Sequence, residues 1–304
     1  LGIDLIEGEY DVENWLEAVR GLEHEPEKGS RCSVCFDRRF EVTAKQASQM
    51  GETTFTSTLL TSPKKSLKQL KTAGDALAKS EGISFIAPDY RKASGTQEQN
   101  VMAKEDALYR QDYCGCMFGL NIQREEQDKL ADELFLPISK QIQPESIEER
   151  IEMYEERWKL EDEGIPHKII KQRFLNWRLS MGLLRVRKAV IPAHFLPYST
   201  LRGEYTRGKI EYNIGEVHHM NRDEVRFITR RYYNELTNSD YPSVKALIFD
   251  PPAFDVEVAL RTKLRVSPYD LSAILVVEEI PDNKIEIICQ SKVYSDVKEV
   301  LIKK

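Results

Sequence analysis

The sequence predicts an α/β fold: a parallel sheet with helices on both faces, followed by a smaller C-terminal α+β or β-rich domain. Three observations predict it. Apolar runs of strand length alternate with helical periodicity through the first 110 or so residues. The stretch from Thr53 to Ala87 reads as strand, helix, strand, a βαβ unit with parallel strands and a right-handed crossover. Beyond Leu196-Pro197 the pattern changes to short strands and turns.

Taken in order, Ile3 to Ile6 reads as a strand. Asp11 then caps a helix with Val12, Trp15, Leu16 and Val19 on one face. A second helix runs from near Cys32 to Met50, with Phe36, Phe40, Ala44 and Ala47 inward. Thr53 to Leu60 is β-branched and reads as a strand. Ser62 caps and Pro63 opens a helix reaching Ser80, which Gly82 ends. Ile83 to Ala87 is a strand and Gln97 to Arg110 a helix. The loops after the three strands should share one edge of the sheet, where active groups gather in such folds. Ile147 to Glu163 is charged helix, and Lys168 to Met181 reads as helical from the spacing of Phe174, Trp177 and Met181. Strands follow at Ile210 to Ile214, Ala246 to Phe249, Ala273 to Val277 and Ile285 to Gln290. The domain reading is 1–145 for the α/β domain, 146–200 for a helical bridge and 201–304 for a small accessory domain.

Hydrophobic residues make up 41% and charged residues 31% of the chain, a balance that excludes a disordered polypeptide. No apolar run approaches the roughly 18 residues that would span a bilayer, and the first ten residues carry acids and no basic group. A cytoplasmic protein without membrane partners is expected. The net charge of −6 hides an asymmetry. Residues 122–163 carry 14 acidic and 6 basic side chains, whereas 168–231 carry 14 basic and 5 acidic ones. An anionic partner would be steered to the second block, where arginines interleave with Trp177, Tyr205, Tyr212, Tyr232 and Tyr233.

Four of the five cysteines form two close pairs, a pattern that points to metal or redox chemistry rather than to a secreted disulfide framework. Cys32 and Cys35 form C-x-x-C near a helix start, flanked by Arg31, Arg38 and Arg39. The positive end of the helix and the arginines favour thiolates, suited to a cluster, half a zinc site or a redox dithiol. Cys114 and Cys116 form C-x-C around Gly115, suited to a labile disulfide, a ligand pair or two plain thiols. Spacing alone leaves these alternatives open. Cys289 alternates with apolar residues and reads as a buried thiol; His218-His219 point apart on a strand and are not read as ligands.

Four segments together resemble the QueH-type epoxyqueuosine reductase family: G-S-R-C-S-V-C-F-D-R-R at 29–39, T-S-P-K-K at 61–65, D-Y-R-K at 89–92 and Y-R-Q-D-Y-C-G-C at 109–116. They span roughly the first 120 residues. The resemblance implies reduction of epoxyqueuosine to queuosine at the wobble position of tRNA, contact with the anticodon loop, and an electron donor that it does not identify. It also implies a [4Fe–4S] cluster, with a further iron associated with the site. Cys32 and Cys35 would then be metal ligands, and Cys114 with Cys116 the redox-active pair. The family's other two ligands are an adjacent Cys-Cys near its amino terminus. No Cys-Cys occurs among the 304 residues, so the chain reads as a trimmed form of a longer protein. Tyr113, Arg110 and Asp11 are candidates for protonation, oxyanion support and metal or ribose contact. Arg31, Arg38, Ser62, Lys64, Tyr90 and Arg91 are candidates for substrate binding, Ser62 and Lys64 because backbone N–H groups at a helix start attract phosphate. The rival from another class is a non-catalytic, zinc-stabilised nucleic-acid-binding protein using all four paired cysteines. A sulfur-transfer enzyme shares the architecture, but no Gly-rich ATP loop is present.

Overall fold

A computed structural model describes residues 4–304 except 93, 107, 110, 112, 135–138, 222–224, 265, 266 and 268. It mixes helices with parallel and antiparallel strands and divides into two compact units, Leu1–Gln123 and Arg124–Lys304. Among the described residues no helix is long and apolar enough to cross a membrane.

In the first unit, α1 (Val12–Ala18) starts at Asp11, whose carboxylate accepts from the Asn14 N–H as the sequence predicts. Helix α2 (Ser30–Gln49) buries Phe36, Phe40 and Ala44 at the expected spacing. It packs on α3 (Leu67–Glu81) through Leu70, Ala73 and Ala78. Between them lie β1 (Thr54–Phe55) and β2 (Ser84–Phe85), which pair in parallel, Thr54 with Ser84 and Phe55 with Phe85. The βαβ unit is therefore present, with two short strands. Phe40, Phe55 and Phe85 close its core, ring centroids 4.9 to 6.1 Å apart. Gly82 ends α3 in the left-handed conformation at φ 70°, which lets the Ile83 N–H reach the Ala78 carbonyl. Helices α4 (Gly95–Glu105) and α5 (Met117–Glu126) complete the unit.

Three expectations are corrected here. Asp4–Ile6 form no strand, and Leu5 is exposed; Ile3 lies outside the described residues. The strand read over Thr53 to Leu60 stops at Phe55, and Thr58–Thr61 form a 3-10 turn because the Ser57 hydroxyl accepts from the Leu59 N–H. The cap of α3 is Ser66, which accepts from the Gln69 N–H, not Ser62 four residues earlier; Pro63 precedes the helix rather than opening it.

The second unit opens with α6 (Ile147–Asp162), capped by Ser146. Then follow β3 (His167–Val186), β4 (Ala189–Ile191), β5 (His194–Phe195), β6 (Tyr205–Gly208), β7 (Ile210–Ile214), β8 (Val217–Met220) and β9 (Arg226–Thr229). Helices α7 (Arg230–Thr237), α8 (Val244–Phe249) and α9 (Phe254–Lys263) lead to β10 (Ile274–Val277) and β11 (Ile285–Lys303). One sheet runs β5-β10-β9-β8-β7, with only β9 and β10 parallel; the other is antiparallel, β4-β3-β11-β6. Alternate residues of β10 serve different cores. Leu275 and Val277 join Leu184, Phe227, Ile285 and Ile287 between the sheets, while Ile274 and Val276 join Tyr233, Leu247 and Leu260 under the helices. A strand covered on both faces has no polar side, hence Ile-Leu-Val-Val with no exposure.

The reading of Lys168 to Met181 as helix is overturned. That segment is the middle of β3, paired from His167↔Lys303 to Val186↔Ile285 across a bulge near Ser291. Its apolar spacing fits both periods, and its partner strand lies more than 100 residues away, where local pattern cannot see it. Ala246 to Phe249, read as a strand, belongs to α8, which Ser243 caps by accepting from the Ala246 N–H.

Candidate functional site

Three helix starts converge in the first unit. Cys32 lies in the first turn of α2, and its sulfur accepts the Lys28 N–H at 3.3 Å. The Gln69 amide, in the first turn of α3, donates to the Lys28 carbonyl at 2.8 Å and the Ser33 hydroxyl at 3.3 Å, tying the two helix starts together. Cys116 directly precedes α5, and its carbonyl accepts the first helical bond from the Leu120 N–H. The N–H groups of three helix starts thus lie in the neighbourhood of the thiols.

The two cysteine pairs lie within electrostatic reach of each other. A methyl group placed on Gly119 would lie 3.4 Å from the Cys114 sulfur and 3.9 Å from the Arg31 guanidinium, so both groups border Gly119. Burial pushes the Cys35 thiol up, and the charges of Cys114, Cys116 and Cys32 add to that push against the pull of Arg39. All five cysteines are free thiols, and Cys289 is a buried core residue of the second unit.

Cys114 is the most closely held of the four. The Lys65 ammonium lies 3.7 Å from its sulfur and 3.9 Å from the Glu27 carboxylate. Glu27 accepts from the Gln123 amide at 2.6 Å, and the Gln123 carbonyl oxygen accepts the Cys114 N–H at 2.9 Å. Lysine, glutamate and glutamine so form a closed ring that fixes the Cys114 backbone and sets a cation beside its sulfur. Lys65 ends the T-S-P-K-K segment, but Glu27 and Gln123 carry no sequence signal that links them to a cysteine 87 or 9 residues away.

Arg91 joins two of the loops expected at one edge. It pairs with Asp89 and donates to the Ser62 carbonyl at 3.2 Å and the Lys65 carbonyl at 2.8 Å, thereby setting the lysine's backbone. Its hydrogen bonds hold the Asp89 carboxyl below the usual carboxylate range. Tyr90 and Lys64 are exposed, and Tyr113 and Ser62 are half-buried. Asp11 forms an ion pair with Arg38, one helical turn beyond Cys35 on α2. The Asn14 amide, ahead of Arg38, draws the Asp11 carboxyl down. Arg31 is 2% exposed, donates to the Leu22 and Glu23 carbonyls and lies over the Phe118 ring. Arg110 lies outside the described residues.

Among the described residues no three histidine, cysteine or carboxylate groups stand together as a metal site. The described residues do not by themselves complete a four-thiolate cluster.

Comparison with known proteins bears on the same region. The family profile described as "Epoxyqueuosine reductase QueH" matches residues 1–122. A protein of that name from Helicobacter pylori (strain ATCC 700392 / 26695) is 32% identical over 291 residues, 92% of this chain and 79% of the relative. Relatives of the same name from Histophilus somni (strain 129Pt) and Thermotoga maritima are 38% and 35% identical over 120 and 127 residues. Those matches cover 39% and 41% of this chain and 49% and 66% of the relatives' lengths. The Helicobacter pylori match covers 92% of the chain and so takes in the second unit, and with that near full-length similarity the chain belongs to the epoxyqueuosine reductase QueH family.

Proposed function

We propose that the chain reduces epoxyqueuosine to queuosine at the wobble position of tRNA, in the cytoplasm, with Cys114 and Cys116 as its redox-active pair. What supports this reading is that Cys32, Cys114 and Cys116 all act electrostatically on Cys35 in the α2 helix, with Lys65 beside the Cys114 sulfur. Cys32 and Cys35 would supply two ligands of a [4Fe–4S] cluster, which when bound delivers electrons one at a time. A further iron and an electron donor belong to the same reading.

The chain's own groups define the rest. Removal of an epoxide oxygen consumes two electrons and two protons and leaves water and a carbon–carbon double bond. Two thiols closing to a disulfide release two electrons and two protons, so the reduced C-x-C pair matches that demand. The Lys65 cation stabilises Cys114 sulfur as its proton leaves, and the Glu27–Gln123 ring holds the C-x-C loop in place. Tyr113, Arg110 and Asp11 stand as candidates for protonation, oxyanion support and metal or ribose contact. Arg31, Arg38, Ser62, Lys64, Tyr90 and Arg91 are candidates for positioning the substrate.

The test is Cys114→Ser, assayed by mass spectrometry of the tRNA nucleosides. Turnover should stop while iron content is unchanged; an undiminished rate would remove the redox-pair role. The rival, a zinc-stabilised binding protein, predicts a colourless sample with one zinc per chain, whereas the reductase predicts iron and sulfide with absorption near the blue edge of the visible.

A further inference from the structure

We infer that one end of the four-stranded sheet in the second unit is a docking surface for the phosphate backbone of RNA. The first observation is conformational. Strands β3 and β4 are joined by Arg187 and Lys188, with Val186 paired to Ala189, so the turn has two residues. Both have positive φ, 50° and 69°. A two-residue turn of this kind is made by Asn-Gly or Gly-Gly, and a side chain beyond Cβ is strained in both positions. Arg-Lys is a poor choice for the turn itself. Both side chains are exposed, and neither has an acidic partner among the described residues.

The register supplies the second observation. One row across the sheet is Val190, Arg185, Glu286 and Arg207; the next is Ala189, Val186, Ile285 and Gly208. Because Leu184, Ile285 and Ile287 face the inter-sheet core, Arg185 and Arg207 project from the opposite, outward face, about 10 Å apart as residues two strands removed. Lys209 and Lys284 flank the same end, immediately beyond Gly208 and before Ile285. Six cations therefore crowd one sheet end. Its acids are Glu286, 3.5 Å from Arg207, and Asp282, bonded to the Asn283 amide. Tyr205, two residues before Arg207 on the same outward face, is 54% exposed and offers a ring for a base to stack on.

The structure thereby separates the basic block of the sequence into two sets. Arg178 is buried on the Pro144 and Trp177 carbonyls, Arg226 pairs with Asp270 and Arg230 with Glu278, so these hold the fold together. Arg187, Lys188, Arg207 and Lys209 of the block are exposed at the sheet end, with Arg185 half-buried beside them and Lys284 joining from outside the block; Lys168, Lys171, Arg173, Arg202 and Arg231 are exposed as well. The charge at the sheet end and the neighbouring ring fit a polyanion carrying bases, and the choice of RNA rests on the proposed reduction of a tRNA nucleotide. The surface lies outside the residues that the family profile matches.

The test replaces the strained turn by the one its geometry favours, Arg187→Asn with Lys188→Gly. This variant relieves the two left-handed positions while removing two charges, so misfolding does not mimic loss of binding. Its thermal transition should stay level or rise. Its affinity for tRNA, read by fluorescence anisotropy, should fall several-fold at low salt, and the slope of log Kd against log salt should shrink by about 1.5. Arg185→Gln with Arg207→Gln should act in the same direction. Equal affinity and slope in both variants, with the unaltered chain binding tRNA, would overturn the surface and leave the substrate reading standing. Absence of tRNA binding by the unaltered chain would overturn the substrate reading and the surface with it. Displacement of tRNA by polyglutamate as readily as by an RNA of equal charge would overturn RNA as the occupant.

Discussion

Lys65 is 15% exposed at its side chain, and its cation sits between the Cys114 sulfur and the Glu27 carboxylate. A lysine so enclosed sets a cation beside the sulfur and helps fix the geometry of the loop that carries it. Lys65→Met keeps the stem and removes the charge. It should lower turnover at least tenfold, ~1.4 kcal/mol of transition-state stabilisation. The same change should slow alkylation of Cys114 relative to Cys116, read by peptide mass spectrometry, an effect that a purely structural lysine would not produce. Asp270 carries a second residue-scale expectation. Burial raises its carboxyl, but hydrogen bonds from Ser272 and Arg226 outweigh burial and hold it at about 2. A carboxyl depressed on folding stabilises the fold above the unfolded value of about 3.9, and that contribution is lost as pH falls from there through 2. Urea midpoints should fall between pH 5 and pH 2.5, and Asp270→Asn should make the fall shallower; an identical fall in the variant would refute the assignment.

At the scale of elements, the first unit was largely legible and the second was not. Asp11, Phe36, Phe40, Ala44 and Gly82 took the positions that capping and 3.6-residue periodicity assign, because those signals act within one turn or across adjacent helices. Ser62 misled because Ser66 offers an equally good cap with no proline behind it. The strand β3 was read as helix because nothing within Lys168 to Met181 reveals its pairing with Val297 or Tyr294. Of the candidate site, the four paired cysteines were visible as spacing and Lys65 as part of a motif. Glu27 and Gln123 were invisible, since a ring closed across 96 residues leaves no local pattern. Gly74 tests the packing of the βαβ unit. A glycine inside α3 forfeits about 1 kcal/mol of helix propensity relative to alanine. A Cβ there would come within 2.2 Å of the Phe85 ring, which Phe40 and Phe55 hold in place. Gly74→Ala should therefore destabilise despite the propensity gain, by about 1–2 kcal/mol in denaturant melts.

For the molecule as a whole, the two units rest on separate sets of buried residues. The first closes on the Phe40–Phe55–Phe85 cluster, the second on two cores divided by the five-stranded sheet. Within the second, Arg261 is fully buried and donates to the Pro197, Asp270 and Ser272 carbonyls, joining α9 to the segment after β5 and to the segment leading into β10. Burial pulls its guanidinium down to about 10, which leaves it charged at neutral pH. Arg261→Met strands three carbonyls and should cost about 2–4 kcal/mol. Hydrogen exchange followed by mass spectrometry should show the loss in peptides of 124–304, whereas Gly74→Ala should loosen peptides of 1–123. Equal loosening of both units by either change would mean that they unfold as one.

The pairing of β3 with β11 has a consequence for the order in which the chain is made. Every described element of the first unit leaves the ribosome before β11 exists, and β3 itself emerges about 100 residues ahead of its partner, a wait on the order of 5–20 s at ordinary elongation rates. During that interval a 20-residue strand has only the three-residue β4 beside its end and is otherwise open along its edge. A nascent protein so arranged matures from front to back: its first unit can assemble while translation continues, and its second stays vulnerable to misassociation until β11 has been made.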